Sequence, residues 1–221
     1  MQLVIGNKNY SSWSMRPWVL MRGLGLPFEE RKLSFTLGLG AGFAAAVRAY
    51  SPAGRVPVLI DGELAVWDSL AIVEYLHERH PDRGVWPQDS AARARARSLA
   101  AEMHSGFGAL RQHCPMNVEA ALPEVGARVL REQPAVRRDL ERIAEIFAAA
   151  TGPFLFGTFG AVDAFYAPVA LRVRTYALPL PPAAAAYAER LLAAPGPAAW
   201  IADALQEHEW VPEDEPYRTR P

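Results

Sequence analysis

The chain has 221 residues, the length of one large domain or two small ones, and 51% of them are hydrophobic against 21% charged, a balance that supplies a buried core and excludes the low-hydrophobicity, high-charge pattern of disorder. Its 23 Lys and Arg nearly cancel 24 Asp and Glu, for a net charge of -1, so no basic field recruits nucleic acid or an acidic membrane surface. The single cysteine, Cys114, excludes an internal disulfide framework, a Cys-x-x-Cys pair and a thiolate zinc site, and points to a reducing, cytoplasmic setting.

The first stretch, MQLVIGNKNYSSWS, lacks the charged, apolar and small-residue regions of a signal peptide, and no uninterrupted apolar run reaches the roughly 18 to 20 residues of a membrane span. Gln2 to Gly6 reads as a strand. Asn7 to Trp18 (NKNYSSWSMRPW) leads into a helix over Ser14 to Leu24 and sets three serines within four positions. A helix start exposes unpaired amides and the positive end of the dipole, so a hydroxyl or a bound anion there is stabilised. Capping by Ser12 or Ser14, with Pro17 in the first turn, accounts for part of this pattern and leaves a third hydroxyl and Tyr10 over.

Glu30 to Phe35 and Val56 to Ile60 have strand length and content, and Gly38 to Gly42 (GLGAG) is a loop or a weak helix start. Proline cannot donate to a strand ladder, so Val56-Pro57 marks an edge or a turn, and a cis bond there exposes the Val56 amide and carbonyl to an extended peptide ligand. Asp61-Gly62 is a hairpin signal joining VPVLI to LAVW. Asp68 and Ser69 open an amphipathic helix over Ser69 to His80, either as ordinary caps or as a carboxylate site built from the Ser69 hydroxyl, its amide and the helix dipole.

Alanine marks a boundary, with 8 in the first 90 residues and 31 in the remaining 131. Strand signals stop where it falls, and helical segments follow over Ser90 to His113, Pro123 to Ala150, Ala161 to Tyr176, Pro182 to Ala194 and Pro197 to Glu207. The tail EWVPEDEPYRTRP reads as an extended strap. The expected fold is an α/β domain over residues 1–82 followed by an all-α domain over 88–221. His77, His80, His113 and His208 have no metal-ligand arrangement with acidic or cysteine partners, so no metal is implied.

Taken together and in this order, SSWSMR, the VP of RVPVLIDG, the DS of VWDSLAIVEYLHERHPD and the later GTFGAVDAFYAPV resemble the glutathione S-transferase family over essentially the whole chain. The resemblance implies a thioredoxin-like domain that binds glutathione, a helical domain that supplies a pocket for a small hydrophobic electrophile, and a homodimer. SSWSMR is similar to the SSCS-type motif of zeta-class members, whose first serine activates the glutathione thiol. Carried over, that serine is Ser11, with Ser12 beside it as the second candidate and Ser14 left as the helix cap. Trp13 stands where zeta members have cysteine, a departure that bears on zeta-type isomerase chemistry. No cysteine lies near Ser11, which argues against mixed-disulfide chemistry.

By the same resemblance Asp68 and Ser69 grip the γ-glutamyl end, Val56 pairs with the cysteinyl backbone and Arg55 reaches the glycine carboxylate. Arg16 either counters the sulfur's charge or is solvated. Met103, Phe107 and Arg111, at four-residue spacing, are the candidates for the second-substrate pocket, with core packing of the first two as the alternative, and His104 beside them is a candidate base or a surface residue. Gly160, Ala161, Val162 and Asp163 stand where the family shows a capping box, with Asp163 reaching back to the Gly160 amide. The chemistry is coherent in itself, because an ordinary thiol with a pKa of about 8.5 needs a hydroxyl or helix-end donor to populate its thiolate at neutral pH. The alternative function is a glutathione-transferase fold kept as a non-catalytic binding or adaptor protein.

Overall fold

In a computed structural model, described here over residues 1–38 and 41–219, the chain opens with β1 (Gln2–Ile5), α1 (Ser12–Gly23), β2 (Glu29–Lys32), α2 (Ala41–Arg48), β3 (Val58–Asp61), β4 (Leu64–Trp67) and α3 (Ser69–Arg79). The four strands form one mixed sheet in the order β2-β1-β3-β4, with β1 parallel to β2 and antiparallel to β3. Asp61 and Leu64 close the β3–β4 hairpin around Gly62 at φ +62°, a left-handed position that glycine takes without steric cost. This is the thioredoxin-like domain. The helical domain follows with α4 (Ser90–Ser105), α5 (Gly108–His113), α6 (Pro123–Glu132), α7 (Pro134–Ala148), α8 (Ala161–Thr175), α9 (Pro182–Ala193) and α10 (Pro195–Ala204).

Several expected elements are corrected. The helix expected over Ser90 to His113 breaks at Gly106 and Phe107, whose φ of +51° no α-helix accommodates. The one expected over Pro123 to Ala150 breaks at Gln133, because Pro134 lacks an amide and disfavours the α region for the residue before it. The second strand ends at Lys32, and Phe35 enters a 3₁₀ turn (Phe35–Leu37) whose Thr36 amide donates to the Ser34 hydroxyl. β3 begins at Val58, one residue past Pro57. The first helix begins at Ser12, which places Pro17 in its second turn and makes Ser11, not Ser14, the residue before it. Of the loop Gly38 to Gly42, residues 39 and 40 lie outside the described residues, as do 220 and 221 of the expected second domain, and α2 begins at Ala41.

Helix α1 is the pivot of the molecule, packed against α8 and α10 as well as the sheet. Gly196 makes the α10 contact possible, since a Cβ there would lie 2.2 Å from the Val19 carbonyl oxygen. Trp18 and Trp200 meet edge to face at 5.3 Å, the Trp200 indole donates to the Lys8 carbonyl at 2.9 Å, and the Lys8 ammonium pairs with Glu30 and Asp203. The tail then crosses back over the first domain as a strap. Glu207 accepts from the Lys8 and Asn9 amides, and Glu209 from the Asn7 side chain, Lys32 and Ser34. Burial alone raises the Glu209 carboxyl, but these donors outweigh it and hold the group down at about 2. Glu215 accepts from the Tyr10 hydroxyl and Asn117 at 2.8 Å each. Every polar residue from Asn7 to Tyr10, the loop that leads into α1, is therefore tied to the last quarter of the chain.

Candidate active site

The loop before α1, the 3₁₀ turn after β2 with α2, the turn before β3 and the start of α3 all open on one cleft of about 840 Å³. It is lined by Ser11, Ser12, Arg55, Val56, Asp68, Ser69 and Arg111 among the residues singled out from the sequence. Trp13, Phe35, Phe43 and Trp67 add aromatic walls.

Asp68 takes the position before α3 with φ +75°, and its Oδ1 accepts from the Leu70 amide at 2.8 Å. That cap satisfies one of the unpaired amides at the start of α3, where Asp68 and Ser69 line the cleft. Ser69 is fully buried and its hydroxyl accepts from Arg16 Nη1 at 3.3 Å. The Val56-Pro57 bond is cis. The Val56 amide and carbonyl carry no partner among the described residues, so both are available to an extended peptide.

The serines divide unexpectedly. Ser14 does not cap α1: its hydroxyl accepts from the Gly6 amide at 3.2 Å and from Ser11 Oγ at 2.8 Å. Ser11, buried at the helix start, makes no side-chain cap bond. Ser12, half-buried, accepts from Arg172 Nη2 at 3.4 Å and keeps its own proton to give.

Arg16 is buried, not solvated, stacked at 4.0 Å on Trp13 and 4.9 Å on Phe165, with its Nε unpartnered. Burial, with Arg172 and Arg111 nearby, pushes its guanidinium down to about 9. Arg172 is pushed down to about 10 by burial and by Arg111, and Arg111 itself sits 5.0 Å over Trp13. Three guanidiniums thus crowd Ser12 and Trp13, and among the described residues Asp68 is the one carboxylate whose charge offsets that of Arg16. His104 stands edge-on to Trp13 at 5.0 Å, with Nε2 3.4 Å from Asp68, and burial lowers its pKa.

Of the three residues assigned to a second-substrate pocket, Arg111 lines the cleft, while Met103 and Phe107 are packed in the core at 1% and 7% exposure. The break at Gly106–Phe107 turns α5 away from the face that α4 presents, which undoes the continuous stripe their spacing implied. Cys114 is fully buried, and burial pushes its thiol up to about 12. Among the described residues no three His, Cys, Asp or Glu side chains gather as a metal site. Sequence reasoning missed Arg172 beneath Ser12 and Asp214 on the strap. Arg172 touches Ser12 from behind the cleft and Asp214 lines the cleft itself, each from more than 150 residues beyond Ser12, a separation that carries no local signal.

The sequence profile of the glutathione S-transferase N-terminal domain matches residues 10–79. A probable maleylacetoacetate isomerase of Vibrio cholerae is 32% identical over 103 residues, 47% of this chain and 48% of its own, so the chain spans about half the length of that curated relative. A glutathione transferase homolog from Burkholderia GL BGR1, solved with bound glutathione, superposes at a TM-score of 0.68 with 25% identity over 92% of this chain and 97% of its own. A maleyl pyruvate isomerase, described as a bacterial glutathione S-transferase of zeta class, has the same fold at a TM-score of 0.69, with 21% identity over 95% of this chain and 100% of its own. Residues 10–79 are therefore a glutathione S-transferase N-terminal domain, and the chain as a whole has the glutathione transferase fold.

Proposed function

We infer that the protein is a glutathione transferase that ionises the glutathione thiol at the start of α1 and presents it to a small electrophile, by conjugation or by glutathione-dependent isomerisation. The observation that carries this reading is the convergence of Ser11, Ser12, Arg55, Val56, Asp68 and Ser69, from three separate segments, on one cleft. In this reading the γ-glutamyl carboxylate meets Ser69 and the α3 amides, with Asp68 beside its ammonium. The cysteinyl backbone pairs with Val56, and the glycine carboxylate meets the exposed Arg55. Ser12 donates to the sulfur. Its oxygen already accepts from a guanidinium, which polarises the hydroxyl and strengthens it as a donor.

The aromatic walls suit a hydrophobic electrophile. Arg111 on the cleft, with the fields of Arg16 and Arg172 behind it, suits one that also carries a carboxylate. A spectrophotometric panel with glutathione and halogenated aromatics, peroxides and maleyl-type acids tests this, and activity on none of them with glutathione bound leaves the non-catalytic reading. Ser69→Ala is expected to weaken glutathione roughly tenfold, the loss of one hydrogen bond to a charged group, with the fold intact. An unchanged Kd by calorimetry returns Asp68 and Ser69 to simple helix capping.

We extend the reading to a cytoplasmic homodimer. β4 is one of the two edges of the sheet and carries exposed Leu64 and Trp67, the kind of apolar edge that a partner covers. Sedimentation at micromolar concentration is expected to give about twice the mass of one chain, and a monomer alone counts against it. Among the described residues no helix is long and apolar enough to cross a membrane.

A further inference from the structure

The strap brings a group into the cleft that the glutathione reading does not use. Pro212–Asp214 forms a 3₁₀ turn, and Asp214 lines the cleft together with Tyr10, Ser11 and Ser12. Its neighbours on the strap are committed: Glu207 and Glu209 hold the loop before α1, and Glu215 is buried against Tyr10, Asn117 and Arg218. Those bonds anchor the turn on both sides. The Asp214 carboxyl itself, half-buried, has no side-chain hydrogen bond or ion pair among the described residues.

A thiol that ionises must give its proton to something. The titratable groups lining the cleft are Tyr10, Arg55, Asp68, Arg111 and Asp214. The arginines are donors only. Tyr10 donates its hydroxyl proton to Glu215, and burial pushes the group up to about 12. Asp68 is occupied by the Leu70 amide on one oxygen and faces His104 with the other. Asp214 is what remains. Resting on the glutathione-transferase reading, we propose that Asp214 is the proton acceptor of the cleft: as the S–H bond breaks, the electron pair stays on sulfur and the proton passes to the Asp214 carboxylate. When the thiolate adds to an activated double bond, the same proton is available to the carbanion that forms, and Asp214 returns to its ionised state. No other reactant is needed.

The surroundings favour this exchange. Burial, with Glu213 and Glu215 on the same turn, pushes the Asp214 carboxyl up to about 6. Tyr10, from the loop before α1, and Arg111 are titratable groups lining the same cleft, and Glu213 and Glu215 are the charged groups whose fields act on Asp214. A donor hydroxyl and the start of α1 lower the thiol while burial raises the carboxyl, so the two groups move toward each other and proton transfer between them costs less.

The test is a proton inventory for glutathione binding, by calorimetry in buffers of different ionisation enthalpy at neutral pH, alongside the ultraviolet absorbance of the bound thiolate. The wild-type protein is expected to bind glutathione as thiolate with less than one proton released to the buffer for each thiolate formed, the shortfall being the proton held on Asp214. Asp214→Asn is expected to leave the thiol protonated, with kcat/KM at neutral pH lowered about a hundredfold, or, where the thiolate still forms, to release one whole proton for each, and Asp214→Glu to restore the wild-type behaviour. Release of one proton per thiolate by the wild type, with Asp214→Asn indistinguishable from it, overturns the assignment. Failure of the wild type to bind glutathione at all overturns the transferase reading instead, and is seen before any variant is compared.

Discussion

Ser12→Ala is expected to raise the apparent pKa of bound glutathione by about one to two units, because a hydrogen bond to a charged group is worth roughly 1.5 to 3 kcal/mol and each unit corresponds to about 1.4. kcat/KM at neutral pH should fall about tenfold or more, since the rate follows the thiolate population. Glutathione affinity should change little, because Val56, Asp68 and Ser69 are untouched. Binding and chemistry then separate, and the pH profile of kcat/KM with a halogenated aromatic reads both. Ser11→Ala is the companion measurement. The Ser11 hydroxyl donates to Ser14, so its removal is expected to leave the profile nearly in place. The opposite result, with Ser11→Ala shifting the profile and Ser12→Ala silent, means that the Ser11 proton turns from Ser14 to the sulfur on binding. If neither variant moves it, the α1 amides or Arg16 supply the stabilisation.

Asp163→Ala is expected to cost at least about 3 kcal/mol of stability, which for a chain of this length is a fall in Tm on the order of 10 °C. Asp163 is fully buried at the start of α8. It accepts from the Gly160 amide at 3.0 Å, the Leu155 amide at 3.0 Å and the Tyr187 hydroxyl at 2.7 Å. Truncation leaves three buried donors without an acceptor, and it loosens the helix that carries Arg172 to Ser12. Asp163→Asn, which keeps one acceptor oxygen, should cost less.

The pH dependence has a definite sign. Burial pushes the Asp163 carboxyl from 3.8 up to about 6 in spite of the three bonds it accepts. Between those values the folded protein holds a proton that the unfolded chain has released. The contribution of this group is therefore fully present below about pH 4, declines as pH rises toward 6 and is flat above. The difference in Tm between the wild type and Asp163→Asn, followed from pH 4 to 7, should trace that decline. A difference that does not change with pH means that the carboxyl stays ionised throughout.

What the sequence by itself determined is local. Strand and helix order over the first eighty residues, the Asp61-Gly62 hairpin, the Asp68-Ser69 helix start and the reach of Asp163 back to Gly160 depend on residues within a few positions of one another, where spacing, caps and turn chemistry decide. The tertiary structure decided which faces meet. Ser14 reads as a cap by position, but the Gly6 amide claims its hydroxyl once β1 and α1 pack together. Met103, Phe107 and Arg111 share a stripe only if one helix runs through them, and the turn at Gly106–Phe107 separates them. Arg172 under Ser12 and Asp214 on the cleft wall come from α8 and the strap. Their places depend on helix packing and on carboxylates at 207, 209 and 215 bonding to amides, side chains and a hydroxyl far away in the chain, contacts that no periodicity or short motif encodes, because burial selects them only after the two domains have closed on α1.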